Sequence, residues 1–332
     1  MCGISGGFEL KGNIRPLTIV KEIVLDQNSR GPDASKITEF ELTNFNSAFG
    51  HNRLSILDLD ERSNQPMVDR SNRYSLVYNG EIYNYIEIRN ELIEKGYHFE
   101  TTSDTEVLLY ALICWGRSAI NKLNGMFAFA FFDKKDEKLL LVRDRFGVKP
   151  LFYFLNDERF YFASTTRAVA KILDCSPNQS YARRGLISGV YDDDTDFSAY
   201  NNLPSLPPGY LAEISFKNTP LFINITQYYD LYTGVKSTLE EIRNDTDDIL
   251  IERVRSLLLS SINIWLRSDV PIGISISGGL DSTSIAAFVL QNQKNLLGYT
   301  LGEPMNVKTE GPLVKLFSHK TGMEVKYIWP SA

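Results

Sequence analysis

The sequence predicts two domains of different class: an α+β domain of antiparallel strands with helices outside them, and a following α/β unit with parallel strands. The chain has 332 residues, which is long for a single hydrophobic core. In the first half, helical patterns lie between two groups of strand-like segments, which predicts two sheets packed face to face. Near the end, a buried strand, a glycine-rich loop, a helix and a strand follow one another, the order of a parallel βαβ unit.

Composition narrows the classes of function. Hydrophobic residues make up 43% and charged residues 23% of the chain, which is ordinary for a globular protein, and the net charge of −6 excludes a general attraction to nucleic acid or anionic membranes. No apolar run approaches the roughly 20 residues of a membrane span, and the start lacks a signal-peptide pattern. The 3 cysteines are too few for a disulfide framework, which predicts a reducing, cytoplasmic location. The 3 histidines have no metal-ligand spacing, so no structural zinc site is expected.

The first elements are a strand and a helix. Residues 4–10 alternate like a short strand, and Pro16 begins a helix with apolar residues at helical spacing. This helix is expected to end at the Arg-Gly-Pro-Asp sequence of residues 30–33, where Gly-Pro predicts a turn. The Arg and Asp of that sequence are either a solvated pair or the wall of a site.

Turn and cap signals organise the next segment. The strand at residues 74–78 runs into Asn79-Gly80, which by itself is a turn signal. Asn84 is expected to cap the helix that follows. Residues 103–106, Ser-Asp-Thr-Glu, predict a capping box at the start of a further helix. The remaining strands of this half are predicted at residues 45–50, 126–133, 138–144, 151–155 and 159–163.

Cys2 is the first candidate for chemistry. Once the initiator methionine is removed, Cys2 carries both a thiol and a free α-amine. An α-amine with a pKa of roughly 7.7 to 8.0 is partly neutral at pH 7 and can serve as the base for the neighbouring thiol. A single cysteine near the start of a chain is more often a small core residue, so the choice depends on the other motifs.

The order of motifs over residues 2 to about 170 resembles the class II glutamine amidotransferases, which are N-terminal-nucleophile hydrolases with an αββα sandwich. The motifs are Met-Cys-Gly-Ile, Arg-Gly-Pro-Asp, His-x-Arg-Leu-Ser-Ile, Asn-Gly-Glu-Ile-Tyr-Asn, Ser-Asp-Thr-Glu, Gly-Met-Phe-Ala-Phe and Arg-Asp-x-Phe-Gly-x-Lys-Pro-Leu. A Pro-Pro-Gly sequence and a strand pair that ends at Asp230 resemble the close of that domain. The resemblance implies a glutamine amidotransferase domain over residues 2–230.

The resemblance also implies roles for individual residues. Cys2 would attack the side-chain amide of glutamine, with its own α-amine as proton acceptor. The Asn79 side chain and the Gly80 N–H would form the oxyanion hole. Arg53 would bind the α-carboxylate of glutamine and Asp104 its α-ammonium. The other residues implied to line the pocket are Leu54, Ser55, Ile56, Leu57 and Glu81.

The second half contains a nucleotide-like loop. Residues 174–230 are rich in turn-forming residues, and an acidic triplet at 192–194 predicts a solvated loop. A linker follows, and then a helix is predicted at 247–267. Strands at 270–276, 296–301 and 324–328 and a helix at 283–291 follow. Between the first strand and that helix, residues 277–282 read Ser-Gly-Gly-Leu-Asp-Ser, which is either a plain glycine-rich turn or, as it resembles, the pyrophosphate loop of ATP pyrophosphatases.

Behind a class II glutaminase domain, this loop resembles that of the glutamine-hydrolysing asparagine synthetases. The resemblance implies that ATP activates aspartate as an adenylate and that ammonia then displaces AMP, a carbon–nitrogen ligase reaction of asparagine biosynthesis. Mg²⁺ would neutralise phosphate charge. The implied β,γ-phosphate contacts are Ser277, Gly278, Gly279, Asp281 and Ser282, and the implied adenosine contacts are Ile276 and Leu301. The expected partners are glutamine, aspartate and ATP, with no nucleic acid and no membrane.

Residues 231–332 are expected to be the N-terminal part of an asparagine synthetase domain, an incomplete α/β parallel-sheet domain of the ATP-pyrophosphatase type. A second acidic glycine-rich motif of the family has no match, which predicts a fragment, a truncated product or one part of a split enzyme. A homodimer or a second chain would then complete the domain. Two alternatives stay open: an amidotransferase with another carboxylate acceptor, and a non-catalytic partner of a full-length enzyme. β-Lactam synthetases share the architecture but lack the nucleophile, so Cys2 speaks against them.

Overall fold

The computed structural model describes residues 1–191, 195–293, 296–302 and 310–328, so the acidic triplet at 192–194 lies outside the described residues. The chain divides into two compact units, Met1–Lys236 and Ser237–Ala332. Each unit is described by itself below.

The described part of the first unit contains eleven strands and six helices that lie wholly within it, and the start of a seventh helix. The strands are β1 Gly3–Leu10, β2 Ala34–Glu41, β3 Phe45–Arg53, β4 Met67–Val68, β5 Tyr74–Ile82, β6 Gly125–Asp133, β7 Lys138–Arg143, β8 Phe152–Leu155, β9 Arg159–Ala163, β10 Tyr210–Ser215 and β11 Ile223–Gln227. The helices are α1 Pro16–Asp26, α2 Tyr85–Glu94, α3 Asp104–Trp115, α4 Ala119–Lys122, α5 Arg167–Ile172, α6 Gln179–Ser188 and α7 Leu231–Glu241.

The strands form two antiparallel sheets. The first sheet has the order β2-β3-β1-β9-β8, with β1 in the middle, and Gly3 of β1 lies opposite Asn52 of β3. The second has the order β11-β10-β7-β6-β5-β4, and Gly80 of β5 lies opposite Phe127 of β6. The start of β1 and the end of β5 carry the motifs predicted to do the chemistry.

Aromatic side chains fill the space between the sheets. Phe8 of β1 contacts Phe132 of β6 edge-on at 5.3 Å between ring centroids and stacks on Phe216 at 3.8 Å. Phe49 of β3 also contacts Phe132, at 6.0 Å. These rings are fully buried, and each contributes about 1.5–3 kcal/mol through removal of apolar surface from water. The layer holds the two sheets face to face.

Helices cover the outer faces of both sheets. On the first sheet, Ile19 and Ile23 of α1 pack with Tyr161 of β9 and Val169 of α5. On the second, α2 and α3 bury their apolar residues against β5 and β6. The predicted αββα sandwich is therefore confirmed, with the helices outside as the motif order indicated.

Several local predictions differ from the structure. The Asn79-Gly80 pair is not a turn, because β5 continues through it to Ile82 and stays paired with β6. Asn84 does occupy the cap position of α2, but its side chain donates to the Lys122 carbonyl at 2.9 Å and makes no capping bond. At Asn79-Gly80, pairing with β6 outweighs the local preference of these two residues for a turn.

Several elements were not predicted, among them β2, α6 and α7. Strand β2 pairs along the full length of β3, although its sequence shows no apolar alternation. Helix α6 lies in the segment expected to be turn-rich, and α7 occupies the segment expected to be a linker. The described residues of α7 are all exposed, including Leu231, Val235 and Leu239, which recur at helical spacing.

The second unit contains a parallel sheet. Its described elements are α8 Asp247–Trp265, β12 Gly273–Ser275, α9 Leu280–Asn292, β13 Leu297–Leu301, α10 Gly311–Thr321 and β14 Glu324–Ile328. The strand order is β12-β13-β14, with all described pairs parallel, as predicted. Its core includes Ile276, Ala286, Val289 and Val314. Among the described residues of the whole chain, no helix is both long and apolar enough to cross a membrane.

A buried histidine joins the two sheets of the first unit. His51 of β3 is 1% exposed, and its Nε2–H donates to the carbonyl of Tyr78 in β5 at 3.2 Å. Burial lowers the pKa of His51 to about 3, and the nearby Arg53 acts in the same direction while the Tyr78 carbonyl opposes it. The ring is therefore neutral at physiological pH.

This histidine predicts acid sensitivity of the first unit. Below the ordinary histidine pKa of about 6.5, the unfolded chain binds a proton at position 51 that the folded chain does not bind. Stability is therefore lost as pH falls through 6.5, by up to about 1.4 kcal/mol per pH unit. Hydrogen exchange of β3 amides, corrected for intrinsic rates, should show protection falling between pH 7.5 and 5.5, and His51→Gln should flatten that slope. The exposed His98→Gln is the control; equal slopes in wild type and His51→Gln would contradict the prediction.

Candidate active site

Cys2 lies immediately before β1. The Leu54 N–H donates to its sulfur at 3.4 Å, and the sulfur lies 3.6 Å from the Leu54 carbonyl oxygen. Arg30 Nε donates to the Cys2 carbonyl at 3.1 Å, which holds the backbone just ahead of the strand. Met1 is present, so the α-amine in this structure belongs to Met1, which is 57% exposed.

The Arg-Gly-Pro-Asp sequence at residues 30–33 adjoins the predicted site but does not line its cavity, and Asp33 is exposed. A Cβ added to Gly31 would lie 2.4 Å from the Asn52 carbonyl carbon, so only glycine allows this close approach. The Asp33 carboxylate accepts from the Ser55 N–H at 2.7 Å, and the Asp33 N–H donates to the Arg53 carbonyl at 3.0 Å. These contacts of residues 30–33 hold the segment that follows β3 in place.

Arg53 is buried and holds that segment from inside. Its Nη1 donates to the Asp60 carbonyl at 2.8 Å and the Asn64 side chain at 2.9 Å, and its Nη2 donates to the carbonyls of Leu57 and Asp58. Of the N–H groups of the Arg53 guanidinium, only the Nε–H has no hydrogen-bond partner among the described residues. Arg53 therefore offers a carboxylate its charge and one unoccupied donor, not an unoccupied two-nitrogen fork.

The two predicted oxyanion donors lie side by side on β5. Asn79 is 1% exposed, and its buried Nδ2 has no hydrogen-bond partner in the described part of the chain. Buried amide donors without a partner are uncommon in folded proteins and are costly to keep. At Gly80, an added Cβ would lie 2.2 Å from the Met126 carbonyl oxygen. Strand β6 therefore already requires glycine at position 80.

Asp104 lies at the first position of α3. Its Oδ2 accepts from the Tyr78 hydroxyl at 2.8 Å and from the Ile82 N–H at 3.0 Å. Burial raises the pKa of Asp104, and these two donors oppose that rise. Burial and the charge of Asp104 together raise the pKa of Glu81 to about 7. Two carboxyl groups of this kind attract a cation of the size of an ammonium group.

The cap of α3 differs in part from the predicted capping box. The Ser103 side chain accepts from the Glu106 N–H, as predicted. The Glu106 carboxylate, however, accepts from the N–H groups of Glu100 and Thr101 and does not reach Ser103 N–H. This arrangement fixes the loop before α3 and so the start of the helix that carries Asp104.

One cavity brings most of the predicted residues together. It is small, about 40 Å³, enough for a few water molecules. Ser55 and Asn79 are not among its lining residues, although each adjoins one. The lining includes Cys2, Arg53, Leu54, Ile56, Leu57, Tyr78, Gly80, Glu81 and Asp104. A larger groove of about 440 Å³ contains none of the predicted site residues, so size alone does not identify the site.

The electrostatics around Cys2 include a lysine that the sequence analysis did not assign. Burial raises the pKa of the Cys2 thiol, while the Leu54 N–H, the terminal ammonium and Lys149 lower it. Lys149 is 6% exposed, and among the described residues its ammonium makes no hydrogen bond or ion pair. Its backbone is fixed by Asp144, which accepts the Lys149 N–H at 3.0 Å. The only sequence signal was its place in the Arg-Asp-x-Phe-Gly-x-Lys-Pro-Leu motif.

In the second unit, the predicted phosphate loop lies between β12 and α9. The Ser277 N–H donates to Ser282 Oγ at 3.2 Å, and the Gly279 N–H donates to Ser277 Oγ at 3.3 Å. Gly278 has a φ of +79°, a conformation that favours glycine. Asp281 lies exposed in the first turn of α9. The loop thus presents hydroxyl and N–H groups at a helix N-terminus.

The two predicted adenosine residues differ in exposure. Ile276 is 1% exposed, and its side chain belongs to the core of the unit. Leu301 is 69% exposed at the carboxyl end of β13. The Ile276 N–H donates to the Tyr299 carbonyl at 2.8 Å, so the two positions lie at the same edge of the parallel sheet.

Comparison with known families agrees with this geometry. The family model described as glutamine amidotransferase domain matches residues 1–229. The chain belongs to this glutamine amidotransferase family. A second family model, described as asparagine synthase, matches residues 253–328.

Two relatives of this amidotransferase come from Bacillus subtilis (strain 168). Asparagine synthetase [glutamine-hydrolyzing] 1 is 32% identical over 98% of this chain and 49% of its own length. Asparagine synthetase [glutamine-hydrolyzing] 3 is 34% identical over 86% of this chain and 45% of its own length. The chain thus spans about half the length of these curated relatives.

A solved structure supports the fold of the amidotransferase. Glutamine phosphoribosylpyrophosphate amidotransferase from B. subtilis superposes with a TM-score of 0.50 at 14% identity, covering 99% of this chain and 69% of that one. At this identity the likeness concerns the fold alone. It agrees with an N-terminal-nucleophile glutaminase fold in the first unit.

The unpaired amide of Asn79 predicts a selective loss of turnover. Asn79→Ala removes a donor that would act only on the charged transition state, so kcat for glutamine hydrolysis should fall by roughly 100- to 1,000-fold while KM changes little. Steady-state ammonia release measures both constants. Asn13→Ala, which removes an amide bonded to Glu158 outside the cavity, is the matched control. An unchanged kcat in Asn79→Ala would contradict the assignment.

Proposed function

We propose that the chain carries the glutaminase and the first part of the synthetase of a glutamine-hydrolysing asparagine synthetase. The observation that carries this proposal is the single cavity shared by Cys2, Arg53, Gly80 and Asp104, in a chain of the glutamine amidotransferase family. The proposed domains are residues 2–230 for the amidotransferase and 231–332 for the N-terminal part of the synthetase. Family matches that end at 229 and begin at 253 support this division.

Glutamine hydrolysis would begin with Cys2. Because burial raises its pKa, the sulfur is a thiol at neutral pH and needs a base. After removal of Met1, the α-amine of Cys2 takes the thiol proton as the sulfur attacks the amide carbon of glutamine. The negative charge on the amide oxygen is stabilised by Asn79 Nδ2 and the Gly80 N–H. The ammonium form of the amine returns its proton to the departing ammonia, and water then hydrolyses the thioester to glutamate.

Recognition of glutamine would use its two charges. The α-carboxylate lies against Arg53 and the N–H groups of the segment with Leu54, Ser55, Ile56 and Leu57. The α-ammonium lies against Asp104 and Glu81, whose paired carboxyl groups favour a cation. A substrate with both charges and a side-chain amide meets all of these groups at once, which argues for an amino acid amide.

Ammonia would then amidate aspartate that ATP has activated. The β,γ-phosphates of ATP would accept hydrogen bonds from Ser277, Gly278, Gly279 and Ser282 at the N-terminus of α9. No group of three or more His, Cys, Asp or Glu suited to a metal occurs among the described residues. Mg²⁺, which neutralises phosphate charge, would therefore be held mainly by the phosphates, with Asp281 the nearest carboxylate in the loop. Adenosine would contact the Ile276 backbone and the exposed Leu301.

Loss of the nucleophile tests the glutaminase. Cys2→Ala should reduce ammonia release from glutamine at least 1,000-fold, because no other group can form the thioester. Cys114→Ala, which changes a half-buried cysteine of α3, should keep activity. Ammonia release should also require removal of Met1, measured by intact mass. Retained hydrolysis in Cys2→Ala, or activity in material that still carries Met1, would refute the proposal.

A substitution that strains the proposed phosphate loop tests whether this loop binds ATP. In Gly278→Ala, the new Cβ meets Leu313 Cβ at 2.8 Å and the residue keeps a φ of +79°. Binding of ATP with Mg²⁺ should weaken at least tenfold by calorimetry, while glutamine hydrolysis is unaffected. Gly322→Ala carries similar strain, at a φ of +75°, but in open space at the end of α10. Equal ATP affinity in Gly278→Ala and Gly322→Ala would speak against the loop as the site.

A further inference from the structure

Tyr78 makes three hydrogen bonds to residues in and around the proposed glutaminase site. It is 2% exposed on β5, next to Asn79, and it lines the cavity that contains Cys2. Its N–H donates to Gln65 Oε1 at 2.6 Å, and its carbonyl accepts from His51 at 3.2 Å. Its hydroxyl donates to Asp104 Oδ2 at 2.8 Å. The backbone and ring of Tyr78 therefore cannot move independently of the pocket.

The hydroxyl of Tyr78 acts on one group, the Asp104 carboxylate. The Ile82 N–H also donates to Oδ2, at 3.0 Å, and the backbone N–H groups of Thr105 and of Asp104 itself act on the same carboxyl group. All of these donors favour the ionised carboxylate, and they oppose the burial that raises the pKa of Asp104. If the hydroxyl were absent, Asp104 would lose the one side-chain donor among them. The carboxylate would then be less firmly oriented and more readily protonated.

We propose that Tyr78 is a positioning residue that makes the glutaminase selective for amides bearing an α-ammonium group, by holding Asp104 ionised and oriented towards that group. This inference rests on the proposed function, in which Asp104 binds the α-ammonium of glutamine. A substrate without an α-amino group gains nothing from an ionised Asp104. The contribution of the Tyr78 hydroxyl is therefore specific to the substrate's charge.

Other charged groups near Asp104 do not replace this hydroxyl. Cys2, Arg53 and Glu81 share the cavity with Asp104, and Glu81 adds like charge rather than a donor. Glu106, on the same helix as Asp104, is occupied by Glu100 and Thr101. A substitution of Tyr78 leaves all of these side chains in place. A difference between the two proteins therefore reports the hydroxyl.

The test compares two substrates in Tyr78→Phe, which keeps the buried ring and removes the hydroxyl. With glutamine, KM should rise about tenfold with kcat changed less than threefold. With 5-amino-5-oxopentanoate, which has the same amide and carboxylate but no α-amino group, kcat/KM should stay within twofold of wild type. The rise in glutamine KM should be larger at pH 6 than at pH 8, because Asp104 protonates more readily in the variant.

Tyr161→Phe is the matched control. Tyr161 also donates from a buried position to a carboxylate, Glu9 Oε1 at 2.6 Å, but it does not line the glutamine cavity. Loss of the Tyr161 hydroxyl should leave the ratio of kcat/KM for glutamine to kcat/KM for 5-amino-5-oxopentanoate unchanged. Should Tyr78→Phe not accumulate as folded protein, Tyr78→Met fills similar space without a hydroxyl and serves the same comparison.

The outcomes separate the inference from the proposed function. A mature wild-type chain that releases no ammonia from glutamine would overturn both. An active chain in which Tyr78→Phe lowers kcat/KM equally for both substrates would overturn the inference alone, because Tyr78 would then have only a structural role. A selective loss with glutamine, absent in Tyr161→Phe, is the expected result.

Discussion

The geometry of the glutaminase site depends on the packing of β1 against β5 across an aromatic layer. The proposed nucleophile, Cys2, lies before the first residue of β1, and the proposed oxyanion donors lie near the end of β5, in different sheets. No backbone pairing joins these two strands, so their separation is set by rings such as Phe8 and Phe132 and by the His51 bond to Tyr78. Because close-packed interiors transmit small volume changes, a substitution in this layer displaces Cys2 relative to Asn79.

The pocket is a place where stability has been given up for function. It buries a cysteine, an arginine, two carboxyl groups and, nearby, the ammonium group of Lys149, which burial disfavours and the charge of Glu81 stabilises. Buried charges are costly unless they are paired, and an unpaired amide such as that of Asn79 adds to the cost. If a zwitterionic substrate binds as proposed, the same groups need little reorganisation, because they are already held in place. The aromatic layer beneath supplies the compensating stability.

The sequence predicted the sandwich, and most of the residues that it assigned to the site line one cavity, because both the fold and the motifs leave local signals. Strand alternation, the Ser103 cap and the ordered motifs are properties of short segments and survive folding unchanged. The strand through Asn79-Gly80 was harder to predict, since the turn propensity of this pair is outweighed by pairing with β6. Lys149 could not be assigned in advance, because its burial beside Cys2 is set by a loop that Asp144 folds. The occupation of Arg53 by four loop oxygens likewise has no signature in sequence.

The phosphate loop of the second unit is held by its own side chains in a way that suits exchange for an anion. Ser277 Oγ accepts the Gly279 N–H, and Ser282 Oγ accepts the Ser277 N–H, so the N–H groups are satisfied within the loop. A phosphate that takes over these donors leaves the two hydroxyls to rotate and donate to it in turn. Hydroxyl rotation has a low barrier, and each bond given up is replaced by a charge-assisted one. If the loop binds phosphate as proposed, the charge-assisted bonds to the anion replace neutral bonds within the loop, and small residues such as serine and glycine suit this exchange.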